Sequence, residues 1–85
     1  MKNVEFTTLA YSQFEEWKKY NKKTYTRIEQ LIEDIRKNPY TGIGKPEPLK
    51  YELTGFWSRR ITKEHRLVYK VTNTAIIIIA CKYHY

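Results

Sequence analysis

The chain has one cysteine, two histidines, three glycines and three prolines among its 85 residues. A lone cysteine excludes a disulfide framework, and with only two histidines there is no recognisable metal-ligand spacing. Cys81 closes an apolar run, where a thiol is more often a small buried hydrophobe than a nucleophile. The scarcity of glycine and proline argues against a disordered or fibrous chain. Long apolar runs are missing as well. The longest, Ala75 to Cys81, is far shorter than the roughly 20 residues a membrane helix needs. Met1 to Ala10 lacks the apolar core of a secretory signal. Together these absences point to a reducing, cytoplasmic setting with no membrane insertion. There is also no Gly-rich phosphate loop and no Ser/His/Asp arrangement that stands out.

Acidic residues are the other shortage. Nine Asp and Glu face sixteen Lys and Arg, for a net charge of +7. A polyanion is the natural partner of such a surface, because phosphate contacts release condensed counterions. A soluble protein with a basic surface would give the same count. The aromatic content tilts the reading towards nucleic acid: eight residues are Tyr, whose rings can stack on unpaired bases. The length suits a single domain spanning residues 1–85.

Lys2 to Phe6 reads as a short strand. Ser12-Gln13-Phe14-Glu15 has the form of a capping box, predicting a helix from Ser12 to Tyr20 with Phe14 and Trp17 turned inward. Thr24 can cap a second helix whose Tyr25, Ile28, Leu31, Ile32 and Ile35 fall on one stripe. Asn38-Pro39 should end it, since a residue before proline avoids helical geometry. A loop from Asn38 to about Leu53 follows, holding Lys45, Glu47 and Lys50. Long loops on small domains are often functional. Pro46 and Pro48 restrict the backbone around Glu47 and help aim its side chain. A solvated loop acid would look the same at this point.

The last third reads as strands at Phe56 to Ile61, Arg66 to Val71 and Ala75 to about Lys82, rich in Ile, Val, Tyr and Trp. Continuous apolar Ile76 to Ile79 predicts a central strand. The fold class is α+β: two N-terminal helices on one face of a small, largely antiparallel sheet. Alternation then decides the faces. With Arg60 opposite Arg66 and Ile61 opposite His65, Trp57, Ile61, Leu67, Tyr69 and Val71 share a core face. Ser58, Arg60, Arg66 and Lys70 share the other. A shift by one residue would bury the charges with Trp57 and Ile61, at high cost. Like charges directly opposite repel, so the Arg60/Arg66 pair suits a phosphate held between them. His84, near the end of the final strand, is a candidate titrating group; His65 falls in a turn on the helix side. A nuclease without a metal site would favour RNA, which carries its own nucleophile in the 2′-hydroxyl.

The segments Gly44-Lys45-Pro46-Glu47-Pro48-Leu49-Lys50, Thr54-Gly55-Phe56-Trp57-Ser58-Arg59-Arg60-Ile61, Glu64-His65-Arg66-Leu67-Val68-Tyr69 and Cys81-Lys82-Tyr83-His84-Tyr85 resemble the YoeB-type toxins of the RelE superfamily. The resemblance is strongest over residues 38–85 and looser over both helices. It implies a RelE-like, microbial-ribonuclease-like fold and a toxin that cleaves messenger RNA in the ribosomal A site. It also implies a cognate YefM-like antitoxin and a capacity to dimerise; the missing metal-ligand spacing and phosphate loop lead to the expectation of no cofactor. By the same resemblance Glu47 matches the general base, His84 the general acid, Arg66 the residue that holds the scissile phosphate, and Tyr85 the C-terminal aromatic that positions substrate. Lys50 and Arg60 match basic residues around that site, and Lys45 in the same loop is a further candidate phosphate contact. Two other readings stay open: a superfamily toxin aimed at DNA gyrase, and a non-catalytic ribosome- or RNA-binding module using the same basic face.

Overall fold

Side-chain caps, more than apolar periodicity, set where the helices begin. In the computed structural model, which describes residues 2–83, helix α1 covers Thr8–Tyr20. Thr7 caps it, its Oγ1 accepting from the Ala10 N–H at 3.1 Å. The helix therefore starts a turn before the capping box expected at Ser12, and both Ser12 and Glu15 are exposed within it. The earlier start carries Ala10 into the core, where it is fully buried. Phe14 and Trp17 pack against that core, as their spacing predicts.

Helix α2, Lys22–Lys37, follows after a single residue, and Asn21 serves both helices. Its N–H donates to the Trp17 carbonyl at 2.8 Å, closing α1. Its Oδ1 accepts from the Thr24 N–H at 3.2 Å, opening α2. The cap expected at Thr24 thus lies at Asn21, and Thr24 is buried in the first turn. Ile28, Leu31, Ile32 and Ile35 form the buried stripe. Tyr25 is half-buried and stacks on Phe14. Asn38, before Pro39, ends the helix as expected. Among the described residues no helix is long and apolar enough to cross a membrane.

Five strands form one sheet in the order β1-β5-β4-β3-β2: β1 Asn3–Phe6, β2 Glu47–Pro48, β3 Phe56–Arg60, β4 Arg66–Val71 and β5 Ala75–Ala80. Only β1 and β5 run parallel; the other pairs are antiparallel. The apolar strand β5 lies between β1 and β4, interior to the sheet as its sequence predicts, with Ile76 and Ile78 buried and Ile77 and Ile79 only half-buried on the other face. The segment expected to be an unbroken loop to Leu53 instead contains β2 and a short 3₁₀ turn, Tyr51–Leu53. Thr62 and Thr72 brace the two hairpin turns, each hydroxyl accepting backbone N–H groups two and three residues on.

Arg60 lies opposite Arg66, and the Ile61 N–H donates to the His65 carbonyl at 3.0 Å, so the expected register holds. Ile61, Leu67 and Tyr69 are buried against α2 with Ile76 and Ile78 of β5. The same alternation turns Arg59 inward, where it is 0% exposed. Its guanidinium meets five acceptors. Nη1 donates to Asp34 Oδ2 at 2.5 Å and the Ile43 carbonyl at 2.9 Å. Nη2 donates to the Asn38 and Thr41 carbonyls at 2.6 and 3.0 Å, and Nε to the Tyr69 hydroxyl at 3.3 Å. The Tyr69 hydroxyl in turn donates to the Pro39 carbonyl at 2.6 Å. Gly42 completes the cluster: its φ is +127°, and a Cβ there would lie 2.0 Å from Asp34 Oδ2.

Removing one partner of a buried pair costs about 3–5 kcal/mol, because the other is left uncompensated. Arg59→Met should therefore lower unfolding free energy by about that amount in urea titrations; a loss under about 1 kcal/mol would show that the cluster is not a keystone. The Arg59 hydrogen bond holds the Asp34 carboxyl below its usual 3.8 against the opposing effect of burial, with the Ile43 N–H assisting. A depressed folded-state pKa gives stability that is complete above the unfolded value and is lost as pH falls through the folded one. Acid titration from pH 5 downward, at roughly constant ionic strength, should thus destabilise the wild type more steeply than Asp34→Asn.

Candidate active site

Two prolines flank Glu47, and a proline cannot donate to a sheet ladder, so an edge position suits the segment. Strand β2 is that edge: Glu47 pairs with Ser58 and Pro48 with Trp57 of β3. The Leu49 N–H then donates to the Phe56 carbonyl at 2.9 Å, and the buried Leu49 side chain pins the segment. On the other side, the Gly44 carbonyl accepts from the Arg60 N–H at 2.6 Å. Gly44 has φ +78°, and a Cβ there would lie 2.7 Å from Leu31 Cδ2. Glu47 is therefore built into the sheet margin rather than carried on a free loop.

Directly paired residues share a face of the sheet. Glu47 thus lies on the face of Ser58, and Ser58 is two residues from Arg60, which pairs with Arg66. The open face, away from the helices, gathers Glu47, Arg60 and Arg66 across three neighbouring strands. Arg66 is oriented by the β3–β4 turn: its Nη1 donates to the Thr62, Lys63 and His65 carbonyls at 2.9, 3.2 and 3.1 Å. Lys70 is on the same face and sits over the Phe56 ring. Lys45, with φ 54°, and Lys50, which begins the 3₁₀ turn, are exposed on either side of β2. Among the described residues none of Lys45, Lys50, Arg60, Arg66 and Lys70 forms an ion pair, and neither does Glu47. One carboxylate thus stands among uncompensated cations on a face that a phosphate chain could occupy.

A shallow depression of about 430 Å³ runs from Glu47 past Lys50 to Leu53. At its rim Tyr51 is 89% exposed, a ring available for base stacking that sequence reasoning passed over. Arg59 was missed too, although the alternation that turns Trp57 and Ile61 inward also turns Arg59 inward. Cys81 is fully buried, and burial pushes its thiol pKa up to about 12, which removes it as a nucleophile. His65 lies on the helix side against Trp17, as expected. His84 and Tyr85, the expected general acid and terminal aromatic, lie outside the described residues. Among the described residues no group of three or more His, Cys, Asp or Glu could hold a metal ion.

Two helices on one face of a mostly antiparallel sheet, with a basic open face opposite, make this a small α+β domain. The model of the YoeB-like toxins of bacterial type II toxin–antitoxin systems matches residues 6–85. The chain is 56% identical over 69 residues to toxin YoeB of Escherichia coli strain K12, covering 81% of this chain and 82% of that one. It superposes on the YoeB dimer structure from Staphylococcus aureus with a TM-score of 0.93 at 45% identity, covering 99% of this chain and 98% of that one. Against the YoeB–YefM complex from the same organism the TM-score is 0.92 at 45% identity, over 100% and 99% of the two chains. The chain belongs to the YoeB-like toxin family of type II toxin–antitoxin systems.

The Arg60/Arg66 juxtaposition should carry a stability cost. Arg60→Thr is expected to raise the urea midpoint, by about 0.2–1 kcal/mol of unfolding free energy, and to weaken RNA binding most at low salt. A variant both less stable and undiminished in RNA affinity would contradict this account of the face.

Proposed function

We propose that this toxin is a ribosome-dependent endoribonuclease that cuts messenger RNA in the ribosomal A site and so inhibits translation. The observation that carries the reading is the shared open face of Glu47, Arg60 and Arg66, without ion-pair partners among the described residues. Glu47 takes the proton of a 2′-hydroxyl as that oxygen attacks the adjacent phosphorus. Arg66, with Arg60 and Lys50, stabilises the added negative charge on the pentacoordinate phosphorus. His84 protonates the departing 5′-oxygen as the P–O5′ bond breaks. The products are a 2′,3′-cyclic phosphate and a free 5′-hydroxyl. Tyr85 positions the substrate, and Lys45 adds a phosphate contact. Every proton is moved by a side chain, and no cofactor or metal enters the scheme. Its action on ribosomes places it in the cytoplasm.

The partners follow from the same face. Solved structures of relatives include a YoeB dimer and a YoeB–YefM complex. A YefM-like antitoxin with an acidic segment would complement the uncompensated cations and neutralise this toxin, and the toxin would dimerise as that relative does.

Single-turnover cleavage of ribosome-bound message tests the roles. Glu47→Ala, Arg66→Ala and His84→Ala should each slow cleavage, by roughly 100- to 10,000-fold for the acid and the base. Cleavage by the wild type should survive EDTA when ribosome integrity is maintained. Wild-type rates in all three variants would sink the site assignment, and restoration only by an added metal would sink the mechanism.

A further inference from the structure

The C-terminal segment Cys81 to Tyr83 is held at every residue by side chains or backbone from elsewhere in the fold. The Cys81 N–H donates to Gln13 Oε1 at 2.7 Å, and its carbonyl accepts from Trp17 Nε1 at 2.8 Å. Lys82 Nζ pairs with Glu16 at 2.8 Å. Gln13, Glu16 and Trp17 fall at i, i+3 and i+4, so one face of α1 supplies all three contacts. At Tyr83 the support passes to the β3–β4 hairpin. The Tyr83 N–H donates to His65 Nδ1 at 2.7 Å, and its carbonyl accepts from the Arg66 N–H at 3.1 Å. Tyr83 has φ 62°, a left-handed conformation that a non-glycine residue keeps only when its surroundings enforce it.

His65 is the joint of this clamp. Its ring is seated edge-on against Trp17 at 4.9 Å and lies 5.5 Å from the Tyr83 ring. Accepting from an amide requires a lone pair on Nδ1, so the proton of the neutral ring sits on Nε2. The clamp ends one peptide bond before His84, and its last hydrogen bond is made by Arg66 itself. A structural role alone would call for holding β5 in the sheet, which its pairing with β1 and β4 already does.

We infer that His65 is a positioning residue for the C-terminal end of the chain: its Nδ1, backed by Trp17 and α1, fixes the Tyr83 peptide, the last before His84 and Tyr85, the acid and the aromatic of the proposed reaction. The inference rests on the nuclease reading above and adds to it a residue on the helix side of the sheet, outside the basic face.

The test compares His65→Asn, whose Oδ1 falls near the place of Nδ1 and keeps an acceptor, with His65→Gln, whose amide falls near Nε2 and leaves the Tyr83 N–H unmet. At saturating toxin, His65→Gln should slow single-turnover cleavage of ribosome-bound message about 10- to 100-fold with ribosome affinity unchanged. His65→Asn should stay within about threefold of wild type. Gln13→Met, which removes the acceptor at the α1 end, should slow cleavage in the same way and serves if His65→Gln fails to fold by thermal melting. Independently of cleavage, ¹⁵N spectra of the free wild type should show a protonated Nε2 and an accepting Nδ1 coupled to the Tyr83 amide. Equal cleavage rates for the Asn and Gln variants, or a protonated Nδ1 in the neutral ring, overturn the inference while leaving the nuclease reading intact. A wild type that leaves ribosome-bound message uncut overturns the nuclease reading and this inference with it.

Discussion

A guanidinium withdrawn from water must find partners for five N–H donors in a fixed plane, and few arrangements of a chain can supply them. Arg59 finds them in Asp34 of α2, in the carbonyls of Asn38, Thr41 and Ile43, and in the Tyr69 hydroxyl of β4. That set joins helix, connecting segment and sheet at one point. Because the Asn38, Pro39, Thr41 and Ile43 carbonyls are spoken for, the chain leaves the cluster at Gly44 already aimed, and the Arg60 N–H takes the Gly44 carbonyl as the next bond. Glu47 is three residues further on, paired with Ser58. The catalytic base proposed above is thus placed by a residue on the opposite face of the neighbouring strand.

Adjacent arginines divide the labour. Arg59 points inward, is fully buried and has its donors met; Arg60 points outward, is exposed and lacks a carboxylate partner among the described residues. Alternation along β3 makes the two roles inseparable, since a one-residue slip of register exchanges them. The open face pays in repulsion for a surface complementary to phosphate, while the buried cluster and the apolar core on the other side hold the sheet together. Charge at a candidate functional face against local stability is a familiar compromise in folded proteins.

Much of this was legible in the residues. The stripe Ile28, Leu31, Ile32 and Ile35, the interior strand position of Ile76 to Ile79, and the Arg60/Arg66 register follow from period and from the cost of burying charge. The helix starts were not, because cap chemistry is ambiguous where Thr7, Thr8, Ser12, Asn21 and Thr24 all offer a side-chain oxygen. Thr7 and Asn21 make the caps, and with those starts Ala10 and Thr24 lie against the core. Strand β2 escaped notice because two residues carry no periodicity and its prolines read as loop. Its pairing depends on Gly44 and Leu49, which are contacts distant in sequence. Of the candidate site, Glu47, Arg60 and Arg66 meet on one face, whereas the roles of His84 and Tyr85 rest on the family resemblance.

The central claim is that RNA is cut by its own 2′-hydroxyl, activated at Glu47 on the basic face. The most direct measurement uses programmed ribosomes carrying either an all-ribose message or one with a single 2′-deoxy residue at the cut position in the A site. The account predicts that the toxin cuts the first to a 2′,3′-cyclic phosphate and a 5′-hydroxyl, and leaves the second intact at that position. Cleavage of the deoxy-substituted message at the same bond would contradict it.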